Sequence, residues 1–251
     1  MKCGRKEIMW IALALCLICA VLLALALHSR AEHAKPASKD PEGAIAAQED
    51  EDRTVDVPVD FAAWQERNPD VYAWIEYPGT NVDYPIVQSA EDDAYYLRRD
   101  IDGKEAVAGS LYTEHTYNSK TFDDPVTVIY GHNMANRTMF GGLQSHIEAA
   151  DLASTEEYFY VYLPGRILTY RVVGGAPGDD AHILYYNDFS DPTGFSNYFG
   201  NLYAQSGGHV NLPGLLRPNP DDRVVILATC MNGEKYLRYL IIGVLTDDTA
   251  D

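Results

Sequence analysis

Val224-Val225-Ile226-Leu227-Ala228-Thr229-Cys230 is an apolar run that stops on a thiol. A short polar connection follows, Met231 to Lys235, and then a second apolar run, Tyr236-Leu237-Arg238-Tyr239-Leu240-Ile241-Ile242-Gly243-Val244-Leu245. Runs of this kind, rich in β-branched and aromatic residues and separated by a turn, read as strands. Strands flanking a tight connection usually pair, which brings Arg238 toward Cys230. A thiol at the end of a buried strand with a cation on the next strand is a candidate nucleophile. The rest of the chain has to supply a base.

The chain has four cysteines. Cys3, Cys16 and Cys19 fall in or before an uninterrupted apolar segment, Ile8 to Leu27. At 1.5 Å per residue this segment spans about 30 Å, the thickness of a bilayer's hydrocarbon core. Lys2, Arg5 and Lys6 precede it, which places residues 1–7 in the cytoplasm and the remainder outside, a single-pass type II arrangement. The competing reading is a cleaved signal peptide ending near Ala24-Leu25-Ala26, but the apolar stretch exceeds the ~7–15 residues of a typical one. Leu15 and Ile18 stand where a lipidated cysteine has a small neighbour, so Cys16 and Cys19 read as apolar filler. Cys230 is then the one thiol in the exported part, with no partner for an internal disulfide. It is buried and inert, an intermolecular crosslink, or reactive.

At 251 residues, 47% hydrophobic and 22% charged, the chain suits one globular domain with appendages. A formal net charge of -18 argues against nucleic acid or an anionic membrane surface as a partner. Residues 28–55, with the run Glu49-Asp50-Glu51-Asp52, have no apolar period and read as a disordered acidic spacer. Residues 56–251 are the exported domain.

Within it, Asp60 caps a short helix carrying Phe61 and Trp64 and stopped by Asn68-Pro69-Asp70. Strands are expected at 71–77, 82–87, 110–113, 126–130, 158–163, 167–173, 224–230 and 236–245. A helical turn is expected over 91–98, and helices over 138–147, from near Thr155 and over 191–205, the last inside the long connection before Cys230. Eight short strands with few helices between them indicate a mainly β protein, a single closed or nearly closed barrel. No phosphate-binding loop and no paired Cys/His spacing occurs, and the seven histidines are scattered. Metal binding is therefore not expected. Asn136-Arg137-Thr138 matches a glycosylation sequon, a triplet that also arises by chance.

The base has one candidate in a position matching that of Cys230. His132 follows the apolar strand 126–130 after Gly131, read here as permitting a sharp turn at the barrel rim. Taken alone it reads equally as a surface loop histidine, and Arg238 as an outward, solvated strand residue.

Leu227-Ala228-Thr229-Cys230, an arginine eight residues on, and Tyr130-Gly131-His132-Asn133-Met134 upstream resemble the signature of the sortases, cell-wall transpeptidases of mainly Gram-positive bacteria. Trp74-Ile75 with Pro78-Gly79-Thr80, Asp83 to Gln88, Tyr95-Tyr96-Leu97, Gly109 to Tyr112 and Met139-Phe140 resemble class B sortases in particular. The resemblance runs from about residue 59 to 246; Ile226 departs from it, standing where the family most often has threonine. It implies a sortase-type barrel without cofactor and a catalytic set of Cys230 as nucleophile, His132 as acid/base and Arg238 as donor to substrate or oxyanion. Ala228 and Thr229 are then the groove floor and Leu97 part of its wall. The implied partners are secreted proteins with a C-terminal sorting motif and an amine acceptor on peptidoglycan or on a pilin. From the residues alone, hydrolysis by a Cys/His peptidase stays open; against it, His precedes Cys here and Cys230 opens a turn rather than a helix. A non-catalytic tethered module is the third reading.

Overall fold

The computed structural model describes residues 55–234 and 236–250. The expected cytoplasmic tail, the apolar segment 8–27 and all but the last residue of the spacer lie outside them. Among the described residues no helix is long and apolar enough to cross a membrane.

Eight strands close into a barrel in the order β1-β2-β3-β4-β7-β8-β6-β5. They are β1 Val71–Tyr77, β2 Val82–Val87, β3 Leu111–Tyr112, β4 Val126–Tyr130, β5 Tyr158–Leu163, β6 Arg166–Asp179, β7 Val224–Cys230 and β8 Leu237–Asp248. The mainly β, closed-barrel reading therefore holds. Two neighbours run parallel, β2 with β3 and β4 with β7; the other pairs are antiparallel.

Strand alternation divides the apolar residues into two layers. Ile129, Val225, Leu227, Tyr239 and Ile241 point into the barrel, with Ile75, Phe140 and Phe159. Val128, Val224, Ile226, Ala228, Leu240 and Ile242 point outward, under a helical cover that includes Phe195, Phe199 and Leu202. Burial on both faces explains why β7 reads as a continuous apolar run rather than an alternating one.

The cover is formed by α3 (Ile183–Tyr186) and α4 (Pro192–Tyr203), which lie between β6 and β7. In α4, within the helix expected over 191–205, the Asp191 carboxylate accepts the amides of Thr193 and Gly194 and Pro192 opens the first turn. The first helix, α1 (Phe61–Arg67), starts on Asp60, whose Oδ1 accepts the Ala63 amide at 3.0 Å. It packs Trp64 against Trp74 of β1, ring centroids 5.3 Å apart. Tyr95–Arg98 forms the expected helical turn as a 3-10 helix.

Three expectations change. The helix expected over 138–147 is α2, Leu143–Ala149, because Arg137 and Met139 sit at φ 65° and 55° and Gly142 at 95°, outside the right-handed region. That left-handed turn sends Phe140 into the core and returns its amide to the His132 carbonyl at 3.0 Å. No helix begins near Thr155: the Glu157 side chain is held by Tyr77 and His146, and its carbonyl accepts the Val172 amide, which extends the β5–β6 hairpin. Finally, β6 does not stop at Val173. Gly174, Gly175 and Gly178 look like strand breakers but are places where Leu212, Ile147 and Leu240 press on the backbone; a Cβ there would lie 2.5, 2.5 and 2.8 Å from them. Pro177 fits because β6 beyond Arg171 has no β5 neighbour. This longer strand carries Asp179 to the end of the barrel where β7 stops.

Candidate active site

Cys230 and Arg238 are direct cross-strand partners in the β7–β8 pair. His132 is brought level with them by the parallel β4–β7 register, which matches Tyr130 with Ala228, and the Gly131 amide donates to the Ala228 carbonyl at 3.1 Å. Two residues beyond that match on each strand stand His132 and Cys230. All three share the parity of the outward-facing residues on their strands. They therefore open on the outside of the barrel, at its end, beside the helical cover.

The three line one cavity of about 250 Å³ together with Leu97, Tyr112 and Tyr130. The Cys230 residue is exposed, while His132 and Arg238 are half-buried. His132 Nε2 lies 2.7 Å from the Leu97 carbonyl. A carbonyl only accepts, so Nε2 carries the hydrogen and Nδ1 is the nitrogen left to exchange a proton. Arg238 Nη1 donates to the Leu237 carbonyl at 3.3 Å, and among the described residues no carboxylate lies within ion-pair distance of it. Its donors are available to a ligand. Thiol, imidazole and guanidinium on one cavity can form, protonate and stabilise the species of acyl transfer.

Around this set the backbone is fastened at several points. Asn133 Nδ2 donates to the Cys230 carbonyl at 2.8 Å and to Asn232 Oδ1 at 2.9 Å, clamping the ends of β4 and β7. The Asn232 backbone amide donates to Gln144 Oε1 at 3.0 Å, so the buried Gln144 of α2 holds the turn after the thiol. Gly131 serves close packing rather than a sharp turn. Its φ is not positive, and a Cβ there would lie 2.4 Å from Leu111 and 2.6 Å from Phe140.

The proposed groove residues separate. Ala228 and Leu97 line the cavity, and Leu97 contributes its carbonyl to His132 as well as a wall. Thr229 also borders it, but its side chain belongs to the interior parity, is 2% exposed and leaves its hydroxyl without a partner. It is not a solvent-facing floor.

No protein-family model matches the chain. Among characterised proteins, sortase B of Listeria monocytogenes is 30% identical over 174 residues, which cover 68% of this chain and 67% of that protein. The chain belongs to the class B sortases.

Sortase B of Staphylococcus aureus is 27% identical over 88 residues, 35% of each chain. Of solved structures, sortase B from Clostridium perfringens superposes with a TM-score of 0.63 at 25% identity, covering 74% of this chain and all of that one. The Staphylococcus aureus sortase B-substrate complex superposes at 0.62, with 18% identity, over 74% of this chain and 84% of that one, and shows the shared fold. As a class B sortase the protein is a cysteine transpeptidase. Ile226, the departure noted in the sequence, is fully buried beneath the helical cover of this sortase, away from the cavity.

Residues that sequence reasoning passed over also border the cavity. Glu114 and His182 are joined, Nε2 to Oε1, at 3.0 Å. Burial raises the Glu114 pKa, opposed by His182 and Tyr130. Burial likewise pushes the Tyr112 and Tyr130 phenols up. Sixty-eight residues separate Glu114 from His182. The one available signal was that Glu114, like His132, is a polar residue just past a strand. Among the described residues no group of three His, Cys, Asp or Glu side chains is placed to hold a metal ion.

Proposed function

We propose that this class B sortase cleaves a sorting signal on secreted proteins and transfers the acyl group to a cell-wall amine of peptidoglycan. Segment 8–27 anchors it in the membrane as a single-pass type II protein, the acidic spacer 28–55 holds it off the surface, and residues 56–251 work outside the cell. The observation that carries the reading is the joint placement of Cys230, His132 and Arg238 on one strand-end cavity.

The Cys230 thiol gives its proton to His132 Nδ1 and, as thiolate, attacks the carbonyl carbon of the scissile peptide bond, whose oxygen takes up the negative charge. Arg238 donates to that oxygen with a fork that keeps its charge. The tetrahedral species collapses, the C–N bond breaks and the leaving amine takes a proton from His132 Nδ1. The thioester is then attacked by the incoming amine, whose proton returns to His132 as Cys230 leaves as thiolate. The hydrogen bond from Nε2 to the Leu97 carbonyl keeps the ring in one orientation through both halves.

The test incubates the full chain in detergent with a labelled peptide pool, with and without hydroxylamine as acceptor. Hydroxamate that appears only with the amine and disappears in Cys230→Ala is expected. Products released at the same rate and only as free acid in both arms would mean hydrolysis, and turnover surviving in Cys230→Ala would remove the nucleophile. Cleavage of residues 56–251 from intact cells by added protease, leaving the anchor behind, checks the orientation.

A further inference from the structure

The seam between the strand that leads to His132 and the strand that ends on Cys230 stops short of both residues. Its register runs to Tyr130 and Ala228, and among the described residues its last main-chain bond is the Gly131 amide on the Ala228 carbonyl at 3.1 Å. Beyond that point the next bond between the two chains comes from a side chain. Asn133 Nδ2 donates to the Cys230 carbonyl at 2.8 Å and to Asn232 Oδ1 at 2.9 Å. A carbonyl only accepts, so the first bond fixes which end of the carboxamide is nitrogen, and both of its hydrogens are then used. The residue beside the base holds the peptide group of the nucleophile.

Both ends of this bridge are anchored. On the His132 side, Asn133 pairs with Met139 in an isolated antiparallel bridge, and the His132 carbonyl accepts the amide of fully buried Phe140 at 3.0 Å. On the Cys230 side, the Met231 amide donates to the Leu237 carbonyl at 3.1 Å and the Asn232 amide to Gln144 Oε1 at 3.0 Å. A backbone amide only donates, so Gln144 turns its nitrogen the other way, to Glu148 Oε1 at 2.8 Å. Gln144 is buried, whereas Asn133 is half-buried at the rim. Truncating Asn133 therefore removes two rim hydrogen bonds without opening a cavity in the core. What it releases is the spacing of two anchored chains, one carrying the base and the other the thiol.

We propose that Asn133 is a positioning residue of the transpeptidase: its carboxamide is the strut that sets how far His132 Nδ1 stands from the Cys230 thiol, the gap a proton crosses before attack. Proton transfer needs the two atoms within hydrogen-bond reach, and a misplacement of about 1 Å costs about a hundredfold in rate. The role rests on His132 acting as the base for Cys230.

The test is a double-mutant cycle read on the thiol itself. Full-length wild type, Asn133→Ala, His132→Ala and the double variant are treated in detergent with iodoacetamide at neutral pH. Alkylation of Cys230 is followed by mass spectrometry of the tryptic peptide Val224–Lys235. Asn133→Ala is expected to slow alkylation about tenfold while His132 is present and to have no effect once it is gone, the coupling of residues that act through one another. Melting temperatures should match wild type. Asn133→Leu keeps the bulk without a donor and should behave as Asn133→Ala; a wild-type rate in it would show that bulk suffices and overturn the role. Equal slowing in both backgrounds would make Asn133 a fastening of the barrel end and nothing more. A rate that falls in His132→Ala but not in Asn133→Ala removes the positioning role alone. A wild-type rate in His132→Ala removes the base, and the positioning role with it. Turnover gives a second readout. On the peptide of the labelled pool that forms hydroxamate fastest, Asn133→Ala should lower kcat about a hundredfold at unchanged KM; a higher KM at constant kcat would place Asn133 in peptide binding instead.

Discussion

Cys230 and Arg238 face each other because β7 and β8 pair in register up to their ends. Among the described residues the guanidinium makes one hydrogen bond, at 3.3 Å to the neighbouring Leu237 carbonyl. A lysine at this point keeps the charge but loses the planar fork. Arg238→Lys is expected to lower turnover about a hundredfold, the usual loss for one transition-state donor, with an unchanged melting temperature. Near-normal rates would make the arginine structural. His132 depends on residues further away. Its Nε2 is held by the carbonyl of Leu97, in a turn that rests against Gly109 at φ 56°. A Cβ at Gly109 would sit 2.5 Å from the Leu97 oxygen and 2.8 Å from that of Tyr96. Gly109→Ala should therefore cost about 1–3 kcal/mol of stability and displace the imidazole. Urea midpoints and the rate of the folded fraction should both fall; a stable protein with normal rates would show that the turn does not position His132.

At the scale of elements, the connection between β6 and β7 supplies both the cover of the outer core and one wall of the cavity. Helix α4 is secured by Asp191, whose two oxygens accept the first free amides. Removing that cap by Asp191→Ala is expected to cost about 1 kcal/mol, read from chemical denaturation, without loss of the barrel's circular dichroism signature. The β6 strand makes a second demand. A Cβ added at Gly175 would meet the Ile147 methyl at 2.5 Å and the Tyr239 hydroxyl at 3.0 Å. Gly175→Ala is expected to lose about 1–3 kcal/mol by overpacking, and an unchanged midpoint would show that α2 yields at this contact. The sequence pattern marks α4 plainly through Asp191-Pro192 and its spaced aromatics. It hides the second half of β6, because a strand made of small residues at crowded points looks like a loop.

Across the whole molecule, the cavity lies at one end of the barrel and an ion-pair cluster closes the other. Arg166 grips Asp248 with Nε at 2.8 Å and Nη2 at 2.6 Å, and Arg223 adds a bond at 2.9 Å. The two guanidiniums also reach Asp123, at 2.9 and 3.2 Å, so the starts of β6 and β7, the end of β8 and the approach to β4 are tied together. Arg166 holds the Asp248 carboxyl down at about 2. A depressed carboxylate stabilises the fold above its unfolded pKa, near 4, and loses that contribution as pH falls toward its folded value. The pair should therefore contribute about 2 kcal/mol at neutral pH that fades between about pH 4 and pH 2. Asp248→Asn is expected to destabilise at neutral pH by about 2 kcal/mol, because Arg166 and Arg223 lose a buried carboxylate while keeping Asp123. The gap from wild type should narrow on acidification. A gap of constant size from neutral to acid pH in urea titrations would show that Asp248 contributes no charge-dependent stability.

Local chemistry was enough to read much of this protein. The β-rich runs predicted seven of the strands closely and the start of β6, Asp60 and Asp191 predicted two helices, and strand-end Cys230, His132 and Arg238 singled themselves out as thiol, base and cation. These features are legible because propensity, capping and alternation act within a few residues along the chain. The parallel pairing of β4 with β7, which sets His132 level with Cys230, joins segments almost a hundred residues apart. The clamp of Asn133 on the Cys230 carbonyl, the hold of Leu97 on His132 and the contact between Glu114 and His182 also join distant segments. No spacing rule reaches across such gaps, because the partner is chosen by how the sheet closes rather than by neighbours in the chain. The kinds of chemistry were written in the residues; only the closed barrel decided which of them share a cavity.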